Sequence, residues 1–227
     1  MKKIRGFFVA LAMISLFCLA FSDRAIAGNR EEALEFKQKG VDLLIVSFEG
    51  LASHGIGFVR NGLIEYLEGS VKVPFVSKNY AYTDDSKAYS LIRDYFEVYG
   101  KNLRIMIIGH SFGGGIAVVK LLKRLKAYVD LKRVKGFSIE SVITLDPRSW
   151  DGDTKFWTSR NEFLYSAPAG LNIMNHYNFY QTSLLMRGYK FKNAKNIKLR
   201  TMHTKMPKEK KVRNLCKDLI LGTELEY

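Results

Sequence analysis

The chain has 227 residues, 47% of them hydrophobic and 26% charged, enough to bury a sizeable core in one domain. Four Pro and no low-complexity tract exclude a disordered or linker-rich chain, and two Cys exclude a disulfide framework. No CxxC or His/Cys cluster offers a zinc site, and the formal charge of +14 directs attention to anionic partners without saying anything of fold.

The first segment reads as an export signal. Lys2, Lys3 and Arg5 precede the apolar run Phe7 to Phe21, and Ala25-Ile26-Ala27 supplies small residues for cleavage before Gly28. The run is short for a membrane span, which needs about 20 apolar residues. Residues 1–27 are therefore expected to be a secretory signal peptide, with 28–227 as a single secreted or periplasmic domain; an uncleaved signal serving as a membrane anchor is the alternative.

Glu31 to Lys39 is helix-like and leads into VDLLIVSF, Val41 to Phe48, a short apolar run next to Gly50. Such a run suits a strand buried on both faces. Phe58 to Leu67 has helical spacing, and a second strand begins at Val73. Asp84 and Asp85 are plausible caps for a helix through Tyr99. Leu103 to Ile108 is a third strand, and Gly113 opens a helix through about Tyr128. Ser141 to Leu145 and Ile197 to Met202 are the fourth and fifth strands, and a last helix runs from about Lys208 to Leu221. Trp150 to Phe191 is the least regular stretch. Strands alternating with helices predict an α/β fold with a mostly parallel central sheet and helices on both faces. Functional loops are then expected at the carboxyl ends of the strands.

The chemistry is carried by Ile105 to Gly115, IMIIGHSFGGG. Gly109-His110-Ser111-Phe112-Gly113 fits G-x-S-x-G, a weak motif alone. Here it follows an apolar strand and precedes an amphipathic helix, the setting of a nucleophile elbow. The tight turn would hold Ser111 strained with its hydroxyl above the sheet, and glycines would permit the close strand–helix approach. The Phe112 N–H, at the helix start, would face a developing oxyanion. A second donor is expected from the loop after the first strand, at the Leu51 N–H.

A nucleophilic serine needs a base and an orienting acid, in the chain order Ser, acid, His. His54 and His110 do not fit that order, which leaves His203 and His176. His203 follows the strand NIKLRTM and is the stronger candidate; His176 lies in the polar stretch NHYN and reads as a loop histidine. Asp146 ends the strand SVITL before Pro147 and is preferred over Asp151 and Asp153 as the acid. Trp157, Phe163, Tyr177 and Phe179 lie between acid and base and could line an acyl pocket, with core packing as the alternative. Cys216 has no motif around it and reads as a buried small hydrophobe.

With these residues in hand, the chain resembles the α/β-hydrolase superfamily, and in particular small secreted bacterial lipase- and esterase-like members. The resemblance rests on GHSFGG at Gly109 to Gly114, TLDPRS at Thr144 to Ser149, NFYQ at Asn178 to Gln181, and NIKLRTMHTKMPKEKKV. It implies a serine hydrolase of carboxylic esters with little or no cap and no metal or organic cofactor. Ser111 would be nucleophile, Asp146 acid and His203 base. The loop FEGLASHG lacks the HGGG or HG pattern of such enzymes. A thioesterase or peptidase on the same fold, or a catalytically silent secreted binding protein, are the alternatives, since fold does not imply function.

The charge is concentrated late in the chain. Arg187 to Lys217 holds twelve Lys or Arg and one acid, Glu209. Surrounding His203, this stretch could meet an anionic membrane surface or acidic substrate. No RNP, helix-turn-helix or zinc pattern supports nucleic-acid binding.

Overall fold

A computed structural model of the chain describes residues 28–51, 57–148, 163–182 and 188–223. The signal segment, His54, Asp151, Asp153 and Trp157 lie outside the described residues. In chain order the elements are α1 (28–38), β1 (Leu43–Phe48), a π-helical turn (Arg60–Ile64) running into α2 (Glu65–Ser70), β2 (Phe75–Tyr80) and α3 (Asp85–Tyr99). Then come β3 (Arg104–His110), a second π-helical turn (Gly113–Ala117) with α4 (Val118–Lys132), β4 (Ile139–Leu145) and β5 (Phe163–Ser166). The remainder is β6 (Ile173–Tyr180), β7 (Lys190–Lys192), β8 (Lys195–Lys198), a 3-10 segment (His203–Lys208) and α5 (Lys210–Leu221).

Six strands form one all-parallel sheet in the order β2-β1-β3-β4-β6-β8, and β5 pairs with β7 in a small second sheet. The fold is therefore α/β. The central strands are apolar throughout because each faces helices on both sides. Leu44, Val46 and Phe48 of β1 join Ile92, Tyr95 and Leu121 of α3 and α4 in one core cluster. Leu43 and Ile45 point the other way, to Leu63, Leu67, Val212 and Leu215 from the helices on the opposite face. The edge strand β8, KNIK, exposes its lysines, which discourages pairing with another chain.

Two expectations need correction. Ile173–Tyr180 is a full strand in the sheet, where the sequence pattern indicates only irregular structure. The last strand ends at Lys198, four residues short of the expected Met202, so His203 follows an extended loop and not the strand itself.

The topology sets the position of any site. From β1 the chain goes outward to β2, then returns to the other side as β3. The crevice at the carboxyl ends of β1 and β3 is the switch point where ligands of such sheets bind. Register aligns those ends: Phe48 pairs with Gly109, His110 with Leu145, and Leu145 with Phe179. The residues that follow each strand, Glu49, Ser111, Asp146 and Gln181, thus lie along one rim.

Candidate active site

Ser111 takes φ +56°, a left-handed conformation costly for a residue with a side chain. Strain of this kind costs about 1–3 kcal/mol. One or two buried core aliphatics, at about 1.5–3 kcal/mol each, offset it. Three backbone bonds hold the turn: the Ser111 N–H donates to the Leu145 carbonyl (2.9 Å), and the Ser111 carbonyl accepts from the N–H groups of Gly115 (3.0 Å) and Arg148 (2.9 Å). Glycines make the turn possible. A Cβ at Gly109 would sit 2.6 Å from Val118 Cγ2, and one at Gly113 2.5 Å from the Phe48 carbonyl oxygen.

Asp146, fully buried and itself at φ +48°, is the structure's partner for His203. His203 Nδ1 lies 2.5 Å from Asp146 Oδ2. With the Nδ1 proton donated to the carboxylate, Nε2 carries the lone pair a general base needs. The backbone N–H of Gln181 donates to Asp146 Oδ1 (3.3 Å) and its Nε2 amide to Oδ2 (3.1 Å). These donors offset the desolvation of a buried carboxylate. Gly188 packs so closely on this group that a Cβ there would overlap Asp146 Oδ1. Among the described residues no hydrogen bond joins Ser111 Oγ to His203; contacts of this kind commonly tighten only when substrate binds.

His110 is a site residue that the sequence pattern does not single out. Its ring stacks on that of His203 at 4.4 Å between centroids, and its Nε2–H donates to the His203 backbone carbonyl at 3.0 Å. Burial, with smaller contributions from His203 and Arg148, pushes its imidazole down to about 3. It is a neutral ring packed and hydrogen-bonded against His203. Glu49 is the second. Its buried carboxylate accepts the Val59 N–H (2.9 Å) and the Arg60 N–H (2.9 Å), tying the end of β1 to the start of the following helical turn. That tie holds the next residue, Gly50, against Ser111, where an added Cβ would sit 2.6 Å from Ser111 Cβ and 3.1 Å from its Oγ. Gly50, the residue before the expected donor Leu51, therefore borders Ser111.

His176 is not a loop histidine. It lies on β6, edge-on to Phe191 at 5.0 Å, and both ring nitrogens are buried without partners among the described residues. Burial pushes it down to about 4. Tyr177 and Phe179 belong to the core cluster under the sheet, so they do not line an acyl pocket. Cys216 is fully buried, and burial pushes its thiol up. Among the described residues no group of three His, Cys, Asp or Glu is placed to hold a metal ion.

The two buried histidines predict acid sensitivity. Their folded-state values lie below that of a free imidazole, about 6.5, so below that pH the unfolded chain binds protons that the folded chain refuses. Stability is complete above pH 6.5 and falls toward pH 4 by about 1.4 kcal/mol per histidine per pH unit. Urea unfolding at half-unit steps from pH 7 to 5 should show uptake approaching two protons, and about one in His176→Leu. A flat profile would contradict the buried neutral histidines.

Compared with known proteins, the chain matches no family model, no curated protein and no solved structure.

Proposed function

We propose that the protein is a serine hydrolase that cleaves carboxylic esters through Ser111, His203 and Asp146. The observation that carries this reading is the 2.5 Å Asp146–His203 couple, held on the same strand-end rim as a serine at φ +56°. His203 takes the Ser111 proton as the hydroxyl oxygen attacks the ester carbonyl, and Asp146 stabilises the imidazolium. The tetrahedral oxyanion forms facing the Phe112 and Leu51 N–H groups. Collapse expels the alcohol, which takes the proton from His203, and leaves an acyl-serine. Water, deprotonated by the same imidazole, then releases the acid. The likeness to lipase-type elbows supports an ester as substrate. The test is covalent labelling with a fluorophosphonate, peptide mapping of the adduct to Ser111, and turnover of p-nitrophenyl esters.

The substrate of this reading is presented on an anionic lipid surface. Lys192, Lys198, Arg200, Lys205, Lys208 and Lys211 are exposed in the stretch around His203. Two exposed apolar side chains, Met202 (57%) and Leu51 (38%), adjoin the base and the oxyanion loop in sequence. Cations draw in an acidic bilayer, and apolar side chains favour its interface. Binding to phosphatidylglycerol vesicles should exceed binding to phosphatidylcholine vesicles and fall steeply with salt, since screening acts within about 8 Å at physiological ionic strength. Turnover of a neutral soluble ester should barely respond. Equal binding to both vesicles at low salt would reject the surface.

A further inference from the structure

Arg148 is a charge at the site for which acyl transfer has no use. Its backbone starts beside the nucleophile, with its N–H on the Ser111 carbonyl at 2.9 Å. Its own carbonyl packs on Gly115 so tightly that a Cβ there would overlap it. The guanidinium is thus anchored within a side chain's length of Ser111. Its side chain keeps 16% of its surface open. Yet Nε and Nη2 are buried with no hydrogen-bond partner among the described residues.

Asp146 does not answer these donors. Its Oδ2 lies 3.9 Å from Arg148 Nη2, beyond a hydrogen bond, and already accepts from His203 and Gln181. A buried donor left unmatched is destabilising, and more so when charged. Burial pushes the Arg148 guanidinium below its ordinary value, opposed by Asp146 and Tyr189, though arginine stays a cation throughout.

The same molecule shows what this edge of an arginine does when matched. Arg104 donates from Nε and Nη2 to the two oxygens of Glu140, at 2.7 and 2.8 Å. Nε and Nη2 form one side of the planar group, spaced for the two oxygens of a carboxylate or phosphate. In Arg148 that side is the one with no partner among the described residues, and its Nη2 lies 3.9 Å from the carboxylate of the Asp146–His203 couple, under the potential of the basic stretch.

We propose that the Nε–Nη2 edge of Arg148 grips an oxyanion of the substrate, so that the enzyme prefers esters bearing a carboxylate or phosphate close to the scissile carbonyl. This rests on the serine-hydrolase reading and narrows its substrate class. Charge-assisted bonds of this type contribute about 1.5–3 kcal/mol, or roughly 10- to 150-fold in kcat/KM.

The experiment compares kcat/KM for matched pairs at 0.15 M salt: mono-p-nitrophenyl adipate against p-nitrophenyl hexanoate, and a 1-acylglycerol phosphate against the same 1-monoacylglycerol. The carboxylate and phosphate arms separate the two anion sources. The anionic member is expected to be favoured at least tenfold in one pair. Arg148→Gln should bring that ratio down about tenfold or more, and Arg148→Lys should retain part of it. Using the ratio cancels any loss that both esters share through the neighbouring Asp146. Should the variants fold poorly, inhibition of hexanoate-ester turnover in the wild type by adipic acid monoamide against neutral hexanamide gives the same comparison. An equal ratio in wild type and Arg148→Gln, or equal inhibition by the two amides, overturns the subsite and leaves the hydrolase standing. No turnover of any ester overturns both.

Discussion

Ser111→Ala is expected to lower kcat for p-nitrophenyl butyrate by roughly 10³- to 10⁶-fold and to abolish fluorophosphonate labelling. The residual rate over water would come from oxyanion contacts and binding, which the substitution leaves in place. Stability should hardly move, because alanine at φ +56° bears the same backbone strain as the serine it replaces. Ser111→Gly provides the internal control. Glycine adopts that conformation without the Cβ penalty, so the glycine variant should be more stable than the alanine variant by about 1 kcal/mol while equally inactive. Near wild-type turnover in Ser111→Ala would reject Ser111 as nucleophile. Equal stability of the two variants would show that the elbow stores no strain.

The α/β class was legible because its main signals are local. β1, β3 and β4 are apolar runs of strand length, and helical spacing falls between them. β6 was not legible for the opposite reason. IMNHYNFY has no clean period, and its polar residues are buried only because distant groups meet them. Asn178 accepts from Thr144 Oγ1 at 2.8 Å and donates to the Tyr189 carbonyl (2.8 Å) and Asn196 Oδ1 (2.7 Å). None of those partners can be read from the segment itself. The small β5–β7 pairing is hidden in the same way.

The site divides along the same line. Ser111 and Asp146 each follow a recognisable strand, and His203 sits downstream in the expected order, so each could be proposed from its own neighbourhood. The residues around them could not. His110 bonds a residue 93 positions away, and Gln181 and Asp146 meet across 35. Glu49 reads in sequence as an ordinary loop acid; its role appears only when β1 is seen ending at the first turn of the next helical segment. Tyr177 and Phe179 were misleading in the other direction. Their position between acid and base suggested a pocket, but strand alternation turns them into the core beneath β6.

Asp146→Asn tests whether the 2.5 Å contact to His203 is catalytic orientation or only packing. The substitution preserves size, so the buried position should still fill. The Gln181 backbone N–H can still be met by the amide oxygen at the Oδ1 position, which puts the amide NH₂ at the Oδ2 position, facing His203 Nδ1, and requires the Gln181 side-chain amide to flip and accept from it. An NH₂ cannot accept the Nδ1 proton, so the imidazole is driven to the tautomer protonated at Nε2. In that form it has no lone pair for the Ser111 proton, and the charged intermediate loses its carboxylate. The expected result is a fall in kcat of about 10⁴-fold with KM little changed, because the acid touches the base and not the substrate. The unfolding midpoint and near-UV circular dichroism should report an intact fold, separating lost orientation from lost structure. Labelling by the fluorophosphonate should slow in parallel with kcat, since both need Ser111 activated. A variant within tenfold of wild type would remove Asp146 from the triad. The buried couple would then be a structural pair, and the orienting acid would have to be sought elsewhere along the rim.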